Sequence, residues 1–304
     1  MFPIIPAASA SSVDPTLNDE GIFGYGRITP YYAVSNLVSN VGVVSTDVGA
    51  VGTARSNLAA CEYGEDKGIF GYGYNASGRL SMTNLVSNSG VVATDTTGVG
   101  TDRNNLAACE YGTDKGIFGY GYVGSRASMT NLVSNSGVVA TDTTGVGTVR
   151  YALAACEYGD DKGIFGFGDI AVGVTAITNK VSNTGVVSTD TAGVGSVRDY
   201  AAACGYDEDK GIFGFGQPVD DSNVSMTNLV SNLGVVATDT TGVGTARNDL
   251  AACEYGQDKG IFGYGSISTA LVSTTNLVSN SGVVATDTTG VGTNRYALAA
   301  CSFG

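Results

Sequence analysis

The segment GIFGYG, or GIFGFG, opens at Gly21, Gly68, Gly116, Gly163, Gly211 and Gly260, at intervals of 47, 48, 47, 48 and 49 residues. A fixed period of that length constrains the fold more than any other feature. Each copy is one supersecondary unit too small to bury its own faces, so neighbouring copies must share a core. The copy starting at Gly68 runs GIFGYG, a variable stretch, SMTNLVSN, SGVVATD, TTGVGTDR, LAACEYG and TDK.

Within a copy, short β-branched or aromatic runs alternate with Gly, Asn and Asp clusters, the pattern of strands between tight turns. Leu106–Tyr111, Ile117–Gly121, Ser128–Val133 and Val138–Asp142 are four such runs. Gly112–Gly116 and Asn135–Gly137 are the turns between them. No segment keeps helical spacing over ten residues. These runs predict an all-β chain with about half its residues in strands. Charged residues are 14% of the chain and hydrophobic residues 43%, which excludes a disordered acidic polymer. The 45 glycines recur at fixed repeat positions, as turn and close-packing glycines do.

Four strands per copy and six copies predict a six-bladed β-propeller over residues 19–304, with four antiparallel strands per blade. The first copy lacks its LAAC strand and the last ends on one, Leu298–Gly304. The C-terminal strand is therefore expected to complete the N-terminal blade and remove the open edge. Residues 1–18 stand outside the repeat and read as an extended arm. Its apolar tip, Phe2, Ile4 and Ile5, is expected to attach the chain to a protein assembly.

The order of features, LAACEYG, then GIFGYG, then GVGTAR at Gly242 to Arg247, resembles the kelch repeat over about 285 residues. The Gly-Gly of that family is Gly-Tyr-Gly or Gly-Phe-Gly here, and its spaced Tyr and Trp are missing. The copies are also similar to Gly-, Ser- and Thr-rich propeller repeats in proteins of marine bacteriophages, a likeness that implies a virion component.

The chain has no His, the commonest general base and metal ligand, and no catalytic constellation, cofactor motif or metal-ligand set is expected. The D-x-x-G from Asp95 to Gly98 lacks the alternating oxygen ligands of a calcium loop. The six cysteines occupy one repeat position each and read as small buried thiols. A net charge of −13 argues against nucleic acid, and no run of 18 apolar residues is present to span a membrane. Arg55, Arg103, Arg150, Arg198, Arg247 and Arg295 each follow a GVGT-like segment, eight residues after Asp47, Asp95, Asp142, Asp190, Asp239 and Asp287. They are expected to fork onto an Asp or onto carbonyls and pin the connections between blades.

The copies diverge mainly just after GIFGYG. Varied loops on a uniform scaffold are a common way to build a binding face. Tyr31, Tyr32, Tyr74, Arg79, Tyr122, Arg126 and Asp220 are the candidate contacts there, to protein or to sugar. The expected function is a non-enzymatic structural and binding module, a phage tail or virion-surface component whose rim meets a partner or a host glycan or receptor. The alternative is an extracellular, lectin-like propeller.

Overall fold

A computed structural model describes residues 19–304. The arm 1–18, with Phe2, Ile4 and Ile5, lies outside the described residues. The described chain is all-β, and no helix in it is long and apolar enough to cross a membrane. Each repeat forms one three-stranded antiparallel sheet, six in all among the described residues. In the second repeat the first strand is Ala59–Tyr63, the second Lys67–Gly71 and the third Thr83–Val86, with Cys61 opposite Ile69 and Ile69 opposite Leu85. The last strand of the chain, Ala299–Phe303, pairs antiparallel with Glu20–Gly24 and supplies the strand the first repeat lacks.

The fourth strand expected in each repeat is reduced to isolated bridges, and the strands cover well under half of the residues. Val86 bridges Val92 while Thr83 bridges Thr96, so the outer segment carries one extra residue, a bulge. A buried side chain fills the break in the ladder. Asn84 Nδ2 donates to the Ala93 carbonyl and to Asp95 Oδ1, both at 2.9 Å, and so replaces backbone partners.

Sheets pack on one another through the GIFG strand. The side chains of Ile69 and Phe70 have no exposed surface. A Cβ on Gly68 would lie 2.4 Å from Cys301 Sγ of the preceding sheet, and one on Gly71 would lie 2.6 Å from Phe118 Cζ of the following sheet. Each glycine is thus a hole for a neighbour's thiol or phenyl ring. Gly71→Ala is expected to cost about 1–3 kcal/mol through overpacking. A lower urea midpoint at unchanged slope is the expected readout, and a wild-type midpoint would refute it.

Two hydrogen-bond cycles run through all six repeats, one at each end of the first strands. At one end Asn57, Asn105, Ala152, Tyr200, Asp249 and Ala297 each donate the backbone N–H to the carbonyl of the residue before it in that series, with Asn57 donating to Ala297, at 2.8–3.1 Å. At the other end the N–H groups of Gly64, Gly112, Gly159, Asp207, Gly256 and Gly304 reach Asp114, Asp161, Asp209, Asp258, Asp19 and Asp66 at 2.7–3.0 Å.

Candidate functional site

The residue after GIF-Gly decides how each sheet meets the variable face. Tyr25, Tyr72, Tyr120, Phe167, Phe215 and Tyr264 all adopt φ of 63–64°, a region aromatic side chains rarely visit, and a glycine follows each. The turn throws the next residue against the preceding repeat, where it forms a bridge: Ser56 with Tyr74, Asn104 with Tyr122, Tyr151 with Asp169.

The six repeat arginines hold these aromatics in place. All are fully buried, and each guanidinium lies 4.1–4.3 Å above one such ring. Arg55 stacks on Tyr25, donates from Nε to the Tyr72 carbonyl at 2.8 Å, and donates from Nη2 to Asn84 Oδ1 at 2.8 Å, so it ties two sheets together. Its acidic neighbour is not Asp47, eight residues before it, but Asp95 of the next repeat. In four repeats the equivalent Arg–Asp pair sits at 3.7–4.0 Å, too long for a fork. The aspartate instead caps the GVGT turn: Asp95 accepts from Thr53 N and Oγ1. Burial raises the Asp95 pKa, but the bonds from Thr53 and Asn84 outweigh it and hold this carboxyl below the usual range.

The variable segments extend into short ribbons, such as Tyr74–Asn75 with Gly78–Arg79. In the third repeat they lengthen the main strands to Lys115–Tyr122 and Arg126–Val133. Tyr74, Arg79, Tyr122 and Arg126 come together with Asn104, Asn105, Tyr151 and Tyr200 around a cleft of about 500 Å³. That volume is within the range of small-ligand sites. Cations and rings interleave across sheets. Arg79 lies 4.8 Å over Tyr122, Arg126 lies 5.3 Å over Tyr151, and Tyr122 meets Tyr151 edge-on at 5.6 Å. Arg126 is also neutralised by Asp169, with Nε to Oδ1 at 2.7 Å.

Tyr31 borders this group, its ring 6.3 Å from Tyr74. Tyr32 is not part of the cleft lining, and its N–H bonds the Gly26 carbonyl. Asp220 lies on an exposed turn that Ser222 closes, and its carboxyl is held below the usual range by the Ser222 hydrogen bonds. Tyr151, Tyr200, Asn104 and Asn105 were not among the sequence candidates. They follow the repeat arginine by one or two residues, at positions where the copies read Ser-Asn, Asn-Asn, Tyr-Ala, Asp-Tyr, Asn-Asp and Tyr-Ala. That second variable site was the available signal.

A second polar feature lies between the first strands. Glu62, Glu110, Glu157 and Glu254 line a cavity of about 50 Å³ with the cysteine strands of all six repeats. Glu62, Glu110 and Glu157 each bring a carboxylate oxygen within 4.8 Å of the other two, and among the described residues they are the set that could hold a cation. Burial, followed by the nearby Glu157 charge, pushes Glu62 up to about 7, and it raises Glu110 and Glu254 well above the usual range. Two repeats break the ring. A Cβ on Gly205 would lie 1.7 Å from Glu254 Oε1, so that gap is filled by glutamate. Ser302 donates its N–H to Glu62 Oε1 at 3.0 Å, and its hydroxyl accepts from Glu254 N at 3.0 Å. These glutamates were not among the sequence candidates. Their alternation with Cys and Tyr in AACEY placed them on the opposite strand face.

No protein-family model matches the chain, and no curated protein sequence matches it.

Proposed function

We propose that the chain is a non-enzymatic binding module built as a closed, kelch-like six-bladed β-propeller, and that its rim cleft holds a saccharide. The closure is supported by the two unbroken hydrogen-bond cycles and by the pairing of Ala299–Phe303 with Glu20–Gly24. The observation that carries the binding reading is the cleft itself. Tyr74, Tyr122, Tyr151 and Tyr200 gather on one arc of an otherwise repetitive face, with Arg79 and Arg126 among them. The equivalent bridges elsewhere are Asp199 with Gln217, Asn248 with Ser266 and Arg27 with Tyr296, so a tyrosine occurs there once. Tyrosines offer flat apolar faces with wet polar edges, which suits a sugar ring whose C–H face is apolar and whose rim is hydroxylated. In this reading the module works on a virion surface, is attached through residues 1–18, and meets a host glycan.

The test is binding to a printed glycan panel by wild type and by Tyr122→Ala. Truncating a stacked aromatic at the centre of a site costs about 1–3 kcal/mol, so binding should weaken roughly 5- to 150-fold. The melting temperature should stay near wild type, since Tyr122 is only half-buried. Undiminished glycan binding by a folded Tyr122→Ala protein would remove the cleft from the account.

A further inference from the structure

Given the saccharide reading of the cleft, we infer that the ligand carries a carboxylate, as in a uronic-acid-containing glycan, and that Arg79 receives it. The two cleft arginines are not equivalent. Arg126 has Asp169 on its Nε, whereas Arg79 has no carboxylate within ion-pair distance among the described residues. The Arg79 Nε is nevertheless buried and has no hydrogen-bond partner. The guanidinium is held over the Tyr122 ring at 4.8 Å, and its own residue pairs through the backbone with Tyr74. The chain carries a net charge of −13, yet no carboxylate pairs with this guanidinium. A guanidinium fork matches a carboxylate, and desolvation at the mouth of a cleft strengthens the pair.

One more group fixes the class of molecule. Asn104 Oδ1 is also buried without a donor, and Asn104 is bridged by backbone to Tyr122, the ring under Arg79. The ligand must therefore accept from Arg79 and donate to Asn104 around one tyrosine. Sulfate offers acceptors only, and hydrogen phosphate has a donor but no apolar face for Tyr122. A saccharide bearing a carboxylate offers an acceptor, neighbouring hydroxyl donors, and a C–H face for Tyr122. The negative field of the chain disfavours a doubly charged phosphate more than a singly charged carboxylate.

The test is calorimetric titration of the intact protein, at low ionic strength and near neutral pH, with uronate-containing oligosaccharides and their carboxyl-reduced forms. Wild type should bind the acidic forms at least about tenfold more tightly. Arg79→Gln should remove most of that preference, the acidic forms losing more affinity than the reduced ones, and Arg79→Lys should recover part of it. Asn104→Leu should weaken both forms. Equal binding of acidic and reduced forms, lost in Tyr122→Ala, would overturn the carboxylate inference and leave the saccharide cleft standing. Retention of the acidic preference in Arg79→Gln would also overturn it. Binding of acidic peptides but of neither saccharide form would overturn both readings.

Discussion

Arg247→Ala is expected to destabilise the folded protein by about 4 kcal/mol and to lower its melting temperature by roughly 6 °C. The guanidinium is fully buried and sits 4.3 Å over the Phe215 ring of one repeat. It donates to the Tyr264 carbonyl at 2.8 Å, the Thr245 carbonyl at 3.1 Å and Asn276 Oδ1 at 2.7 Å. Burial pulls its pKa down to about 10, so it stays charged at neutral pH. Truncation removes these donors together, leaves two buried acceptors unpaired, and opens a cavity between sheets. It also releases Phe215 and Tyr264, whose left-handed backbones the stacked arginines help to hold. Arg247→Lys keeps a charge but cannot reach three acceptors in fork geometry, and should cost about half as much. Urea unfolding at pH 7 decides the matter. An alanine variant within about 1 kcal/mol of wild type would show that the arginine is a passenger.

The all-β character was legible because the turn residues recur at fixed offsets and the runs between them are too short for helices. The pairing of Ala299–Phe303 with Glu20–Gly24 was legible from where the repeat is cut. The outer strand was misread for a physical reason. Val91 to Asp95 has strand composition, but the register slips there and the Asn84 side chain takes the place of ladder bonds. The arginine's partner was out of reach of local spacing, since it belongs to the following repeat and only tertiary packing brings it near. For the cleft, one of two variable positions was read. Tyr74, Arg79, Tyr122 and Arg126 lie in the loop that looked variable, whereas Tyr151 and Tyr200 sit beside a repeated arginine whose regularity hid them. The glutamates were hidden differently: nothing in a strand sequence says which face meets the equivalent strands of other repeats.

Those glutamates should make the protein more stable at pH 5 than at pH 8. Glu62 is held at about 7 against an ordinary 4.5, first by burial and then by the charge of Glu157. Glu110 and Glu254 are raised further by the same causes. Burial does the same to Asp199 and Asp249, which are pushed up to about 7. A carboxyl whose folded pKa exceeds its unfolded value keeps a proton that the unfolded chain has lost. Its stabilising contribution is therefore complete below about pH 4.5 and disappears as the pH rises through 7. The carboxylates capping the GVGT turns, such as Asp95 and Asp142, have the opposite sign and lose their contribution only in stronger acid. Stability should thus peak near pH 4–5 and fall by pH 8, the Glu62 shift alone accounting for about 3 kcal/mol, with the burial-raised thiols not yet titrating. Glu110→Gln combined with Glu254→Gln removes two of the crowded charges. It should make the profile above pH 5 shallower, Asp199 and Asp249 keeping part of the slope, and leave the double variant more stable than wild type at pH 8. A wild-type optimum at pH 8, or a double variant with an unchanged profile, would mean that the cavity already accommodates these carboxylates as anions.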